Sequence, residues 1–151
     1  KFTACLAVCF LPAMIGSLFM GGESQWYREL TKPAFTPPNW LFGPAWTTLY
    51  LLMAVSLFLV IKDGLLNPKI RSALGLFIIQ LTLNAAWTPV FFGLHLILPA
   101  LLVIILLLAA IIATILAFRK ISTLAAILLI PYLLWVTFAA VLNASIWQLN
   151  R

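Results

Sequence analysis

The sequence predicts an all-α integral membrane protein: a bundle of five transmembrane helices with a long first loop acting as a lid over one end. Three observations carry this reading. The chain is 65% hydrophobic and only 8% charged, with a mean hydropathy of +1.17, whereas a soluble domain carries roughly 25% charged residues. Its Lys, Arg, Asp and Glu residues fall in clusters that leave 2–22, 33–61, 72–118 and 121–150 without a full charge. Those stretches are solidly apolar and lack the period-2 alternation of barrel strands, so the spans are helices.

A helix needs about 20 apolar residues to cross the hydrocarbon core. The third stretch is long enough for two crossings, and Gly93, His95 and Pro99 lie near its middle. The expected spans are therefore about 3–21, 41–61, 71–92, 96–118 and 122–147, all within one domain, 1–151. The first resembles a signal peptide but exceeds a typical apolar core of one and contains Pro12, so it reads as retained. Its Cys5 and Cys9, one helical turn apart, read as small packing residues rather than a disulfide or a metal site. In the second span Trp46 and Tyr50 stack one turn apart behind Pro44. In the third, Gln80, Asn84, Trp87 and Phe91 recur at i, i+4, i+7 and i+11, which is one helical face. The fourth offers Ala109, Ala113 and Ala117, a small-residue spacing that permits close helix approach and a homodimer. In the fifth, Tyr132, Trp135, Ala139, Asn143 and Ile146 share a face. Pro12, Pro44, Pro89 and Pro131 each stand near a span end, where bends could splay the bundle and open a cavity.

The charge pattern orients the bundle. One side holds Lys1, Lys62, Lys69, Arg71, Arg119 and Lys120; the other holds Arg28, Lys32 and Arg151. The positive-inside rule then places the N-terminus in the cytoplasm and the C-terminus and first loop outside. Orientation in the lipid bilayer accounts for the net charge of +6, and no nucleic-acid partner is called for. Apart from Arg71 at the very start of the third, the spans contain no Asp, Glu, Lys, Arg or His, and no internal repeat is visible, which disfavours ion-coupled transport. With three acids and one His in the chain, neither a hydrolytic triad nor a multi-histidine metal site is easily built. His95, in the turn between the third and fourth spans, reads as an interfacial residue rather than a haem ligand.

Unpaired amides are costly in hydrocarbon, so Gln80, Asn84 and Asn143 should face the bundle interior. Asn84 and Asn143 either bind helices together or offer donors to a ligand. Trp26, Trp40 and Trp147 fit an aromatic belt at the headgroups. Trp46, Trp87 and Trp135 lie further inside their spans, each near a polar partner, and read as walls of a shared pocket. The first loop is the long connection, and long ordered loops are usually functional. Its Pro33, Pro37 and Pro38 favour a stiff, extended chain. Trp26, Tyr27, Phe35 and Trp40 give it flat apolar surface, while Arg28 and Lys32 could meet carboxylates at the mouth. The loop segment comprising Trp26, Tyr27, Arg28, Lys32, Pro33 and Trp40 reads as a lid.

The segments "WYRELTKPAFTPPNWLFGPAWTTLY", "LNAAWTPVFFG" and "PYLLWVTFAAVLNASIW" closely resemble the translocator protein family. That family includes the bacterial tryptophan-rich sensory proteins and the mitochondrial peripheral-type benzodiazepine receptors. The resemblance covers essentially the whole chain. It implies a five-helix bundle, commonly homodimeric, with a pocket under the first loop that binds porphyrins such as protoporphyrin IX. Synthetic isoquinoline carboxamide and benzodiazepine-type ligands are implied as well, and no cofactor is required, the porphyrin being ligand or substrate. The pocket residues would be Trp46, Tyr50, Asn84, Trp87, Trp135, Ala139 and Asn143. Light-dependent breakdown of bound porphyrin, proposed for some members, would fall to Trp46 and Trp135. Vertebrate members end the fifth helix with a cholesterol-recognition pattern of Leu or Val, Tyr, then Lys or Arg. Here Ala144 stands in place of the Tyr and Gln148 in place of the basic residue, so the part of the resemblance that would carry steroid handling is missing. This departure, together with the lack of a targeting segment, points to a bacterial plasma-membrane member.

Overall fold

In the computed structural model, which describes residues 1–19 and 25–151, five helices are long and apolar enough to cross a membrane. They are Phe2–Phe19, Asn39–Ile61, Pro68–Gly93, Ile97–Arg119 and Thr123–Asn150, here the first to fifth spans. The expected end of the first span, at 20 and 21, and the start of the loop lie outside the described residues. The second, third and fifth spans each run two or three residues beyond the expected bounds, because their ends are polar but helix-compatible. At the third, Asn67 caps the helix by accepting from the Lys69 N–H, and Pro68 occupies the first turn, where no N–H partner is needed.

Helix-to-helix packing closes a ring in the order first, second, fifth, fourth, third. The prolines decide where it is tight. A Pro ring clashes with the carbonyl four residues earlier and removes one helical hydrogen bond. Accordingly the first span breaks at Phe10, two residues before Pro12, and the fifth at Leu129, two before Pro131. Below its break the first span packs on the second, and above it on the third. The fifth packs on both the second and fourth spans over Thr123–Leu128, and chiefly on the fourth over Ile130–Asn150. At Pro89 the third span widens into a π-helical turn, Pro89–Gly93, closed by the Leu94 N–H donating to the Pro89 carbonyl at 2.9 Å. At Pro44 the helix does not break: Asn39–Ile61 runs through it. The lost bond would have gone to the Trp40 carbonyl in the first turn, so the later turns keep their own hydrogen bonds.

The lower end is knitted closely. Ser56 donates to the Ala125 carbonyl at 2.7 Å, tying the second span to the fifth, and Phe77 stacks on Phe118 between the third and fourth. Lys1 Nζ reaches the Lys62 carbonyl at 2.9 Å, which puts the N-terminus and the second loop at one end. At the other end the third span meets the first so closely that a Cβ on Gly93 would lie 2.7 Å from the Phe19 ring.

A candidate ligand pocket beneath the first loop

The splayed upper half encloses a cavity of about 700 Å³ with a mostly apolar lining. Its wall takes Pro12 to Ser17 from above the first break, Phe42 to Tyr50 from the second span and Asn84 to Phe92 from the third. Ile104 and Leu107 come from the fourth and Trp135 to Ile146 from the fifth. Trp46, Tyr50, Asn84, Trp87, Trp135, Ala139 and Asn143 all lie on this wall. Their helical spacing brings them there: each set occupies the inward face of its span.

The rings are arranged at angles. Trp46 stacks on Tyr50, with centroids 5.5 Å apart, and stands perpendicular to Trp135 at 6.4 Å. Across the cavity Trp87 stacks on Phe91 at 5.1 Å, and Phe92 meets Trp87 edge-on. The π-helical turn puts both phenylalanines on the wall; a period of 3.6 does not bring residues 91 and 92 to one face.

Beneath the rings lies a polar floor. Tyr50 Oη donates to Asn84 Oδ1 at 3.0 Å, and Asn84 Nδ2 donates to Tyr132 Oη at 2.7 Å. Tyr132 in turn donates to Gln80 Oε1 at 2.7 Å. This chain spans the second, third and fifth helices, and Tyr132 is only 1% exposed. At the upper end Trp87 Nε1 donates to Asn143 Oδ1 at 3.0 Å, and Asn143 Nδ2 donates to the Ile97 carbonyl at 3.1 Å. Asn84 and Asn143 thus already serve one another's helices, and the role of amide donors to a ligand does not fall to them first. Among the described residues one buried side-chain polar atom has no hydrogen-bond partner: Trp135 Nε1. Sequence reasoning placed Tyr132 inward but missed its place as the junction of the floor. No three His, Cys, Asp or Glu side chains come together among the described residues.

The lid differs from the extended segment expected. Gln25–Glu29 forms a turn of helix, held by Gln25 Nε2 donating to Glu29 Oε1 at 2.9 Å, and the prolines stiffen only the chain after it. Tyr27 lines the cavity and packs on Phe92 at 5.3 Å. Burial raises its phenol above the ordinary range, so it stays neutral. Trp26 packs on the lid's neighbours: it is half-buried, edge-on to Phe91 and stacked on His95 at 4.3 Å. The turn that presents His95 uses a positive φ of 56°, a conformation His tolerates better than most side chains. Lys32 folds back, donating to the Tyr27 carbonyl at 2.8 Å with its ammonium over the Tyr27 ring; Arg28 is exposed. Pro33 opens a turn, its carbonyl accepting from both the N–H and the hydroxyl of Thr36. Trp40 is 72% exposed and is not on the cavity wall, although Asn39 and Phe42 of the same turn are. Trp147, half-buried, has the Arg151 guanidinium over its ring at 5.5 Å and is not part of the cavity wall.

Comparison with known proteins gives the same assignment throughout. The model of the TspO/MBR family matches residues 4–148. The tryptophan-rich protein TspO of Chlorobaculum tepidum is 42% identical over 97% of this chain and 93% of its own length. The human translocator protein is 43% identical over 93% of this chain and 85% of its own. A tryptophan-rich sensory protein of Cereibacter sphaeroides is 39% identical over 99% and 90%. With the family model spanning nearly every residue and three such relatives aligned end to end, the chain belongs to the TspO/MBR family.

Proposed function

We propose that this protein is a membrane sensor or translocator that binds porphyrins, protoporphyrin IX among them, in the cavity under its first loop. The observation that carries the reading is the cavity itself: about 700 Å³, walled by indole rings from three different helices. That volume lies in the range of pockets that bury a drug-sized ligand, roughly 300–1,000 Å³. A flat aromatic macrocycle is recognised by ring faces, and Trp46, Trp87 and Trp135 supply them. The unpartnered Trp135 N–H is a donor for an acceptor atom within the wall. Arg28 and Lys32 lie on the loop where the macrocycle's carboxylates would emerge. Isoquinoline carboxamide and benzodiazepine-type ligands, flat and apolar with one carbonyl acceptor, fit the same chemistry.

One observation favours a second reading, light-dependent degradation of the bound porphyrin. Trp46 touches Trp135 and Tyr50 in an unbroken run of oxidisable rings, so a photoexcited ligand would sit beside electron donors. Titration of the purified protein with protoporphyrin IX, in the dark and under illumination, separates these readings. Quenching of Trp fluorescence without conversion supports the sensor or translocator. Spectral loss of the porphyrin only in light, and only with protein, supports the enzyme. No quenching at all would reduce the cavity to a structural feature of a membrane dimer.

A further inference from the structure

We propose that Asn150 is the latch of the lid: its side-chain amide fixes the first loop to the end of the fifth span and sets how often the cavity opens. The geometry is two-way. Asn150 Oδ1 accepts from the Thr31 N–H at 3.0 Å, and Asn150 Nδ2 donates to the Thr31 carbonyl at 2.8 Å. One primary amide thereby satisfies both backbone groups of a single residue, as a neighbouring β-strand would. A third bond, from Nδ2 to the Ile146 carbonyl at 2.7 Å, fixes the amide against its own helix. Thr31 is where such a latch has most effect. It follows the short helix Gln25–Glu29 and precedes the turn Pro33–Thr36, so its peptide groups have no helical or strand partners. Tyr27, which closes the cavity, is four residues away.

Other contacts position the lid without locking it. Trp26 on His95, Tyr27 on Phe92 and Phe35 on Phe138 are ring contacts, which slide more readily than paired hydrogen bonds break. The amide adds direction, because both bonds must break for Thr31 to leave. Asn150 is not itself on the cavity wall and meets it only at the Ile146 carbonyl, so it acts through the loop as a positioning residue.

The test uses the full chain in lipid nanodiscs and two readouts. Hydrogen exchange reports the latch directly and does not depend on any ligand. The rates of protoporphyrin IX association and dissociation report its consequence and rest on the function proposed above. In Asn150→Ala, exchange of the Thr31 amide should rise about tenfold, the scale expected for losing two such hydrogen bonds, while the third and fourth spans exchange as before. Both porphyrin rates should rise severalfold, with the dissociation constant changing less than either. Asn150→Asp adds a signature that a packing role would not give. Its ionised carboxylate can accept from Thr31 but repels the Thr31 and Ile146 carbonyls; protonated, it donates to one of them. Thr31 protection in this variant should therefore fall as pH rises through the carboxyl titration, beyond the intrinsic trend seen in the unaltered protein. Unchanged Thr31 exchange in Asn150→Ala overturns the latch, as does exchange that rises equally in all spans. Failure of the unaltered protein to bind porphyrin would count against the porphyrin reading and leave the exchange result to decide the latch.

Discussion

At the scale of single residues the indoles divide by what their N–H groups do. Trp135 Nε1 is buried without a partner and Trp46 presents its ring beside it. Replacing either by Phe should weaken porphyrin binding by about 1–2 kcal/mol, the scale of aromatic contact energies, with the fold unchanged; a fluorescence titration measures this. The same change at Trp147 should leave binding intact, since that ring lies off the wall under Arg151. Trp87 should behave differently from both. Its N–H holds Asn143, so Trp87→Phe orphans a buried amide oxygen and should lower stability by about 1–3 kcal/mol, read as a lower melting temperature in detergent. Tyr132→Phe should show the same stability loss, because Gln80 Oε1 and Asn84 Nδ2 both lose their partner. A binding defect of the Trp147 variant, with silent Trp46 and Trp135 variants, would place the ligand elsewhere.

At the scale of elements, the cavity exists because two spans break two residues before a proline. Pro12 turns the upper first span toward the third, and Pro131 marks where the fifth comes to rest chiefly on the fourth. This much was legible in the sequence: apolar length set the spans, and helical spacing set the inward faces of the third and fifth. Three things were not. The unbroken passage through Pro44 depends on where along its helix the lost bond falls. The π-helical turn adds one residue to a helical repeat, a change that no periodicity count at 3.6 reveals, and it brings Phe92 to the wall. The stacking of Trp26 on His95, and the pairing of Thr31 with Asn150, join residues 69 and 119 positions apart, which only the ring closure of the bundle brings together. Gly93 is a second legible residue with an illegible reason. A methyl group there would meet the Phe19 ring at 2.7 Å, so Gly93→Ala should cost about 1–3 kcal/mol by overpacking. Adding Phe19→Leu should recover most of that loss, and thermal melts of the single and double variants measure the coupling.

At the scale of the whole molecule, the two ends carry different charge and different contacts. Lys1 bonded to the Lys62 carbonyl marks one end, and Thr31 bonded to Asn150 marks the other. Lys1, Lys62, Lys69, Arg71, Arg119 and Lys120 gather at the first, against Arg28, Lys32 and Arg151 at the second. From the positive-inside rule we predict that the richer end faces the cytoplasm, and the cavity mouth the outside, of a bacterial plasma membrane. Both reference positions lie at loop or helix edges: Asn67 precedes the third span, and exposed Gln25 opens the short lid helix. Single cysteines placed at these two positions, in a background without Cys5 and Cys9, should react with a membrane-impermeant maleimide from opposite sides. Reaction of the Gln25 position from the cytoplasm would invert the molecule and the direction from which ligand enters. Assembly belongs to this scale too. Along the fourth span Ala109 is exposed and Ala113 and Ala117 half-buried, so the outer edge of this small-residue row is available to a second copy while its inner edge packs at home. Ala109→Phe therefore tests pairing with little disturbance of the bundle. We propose a homodimer through this row: cross-linking in nanodiscs should capture a dimer of the unaltered protein and lose it in Ala109→Phe; a dimer that survives the change would move the contact to another helix, and no cross-link in the unaltered protein would overturn the proposal.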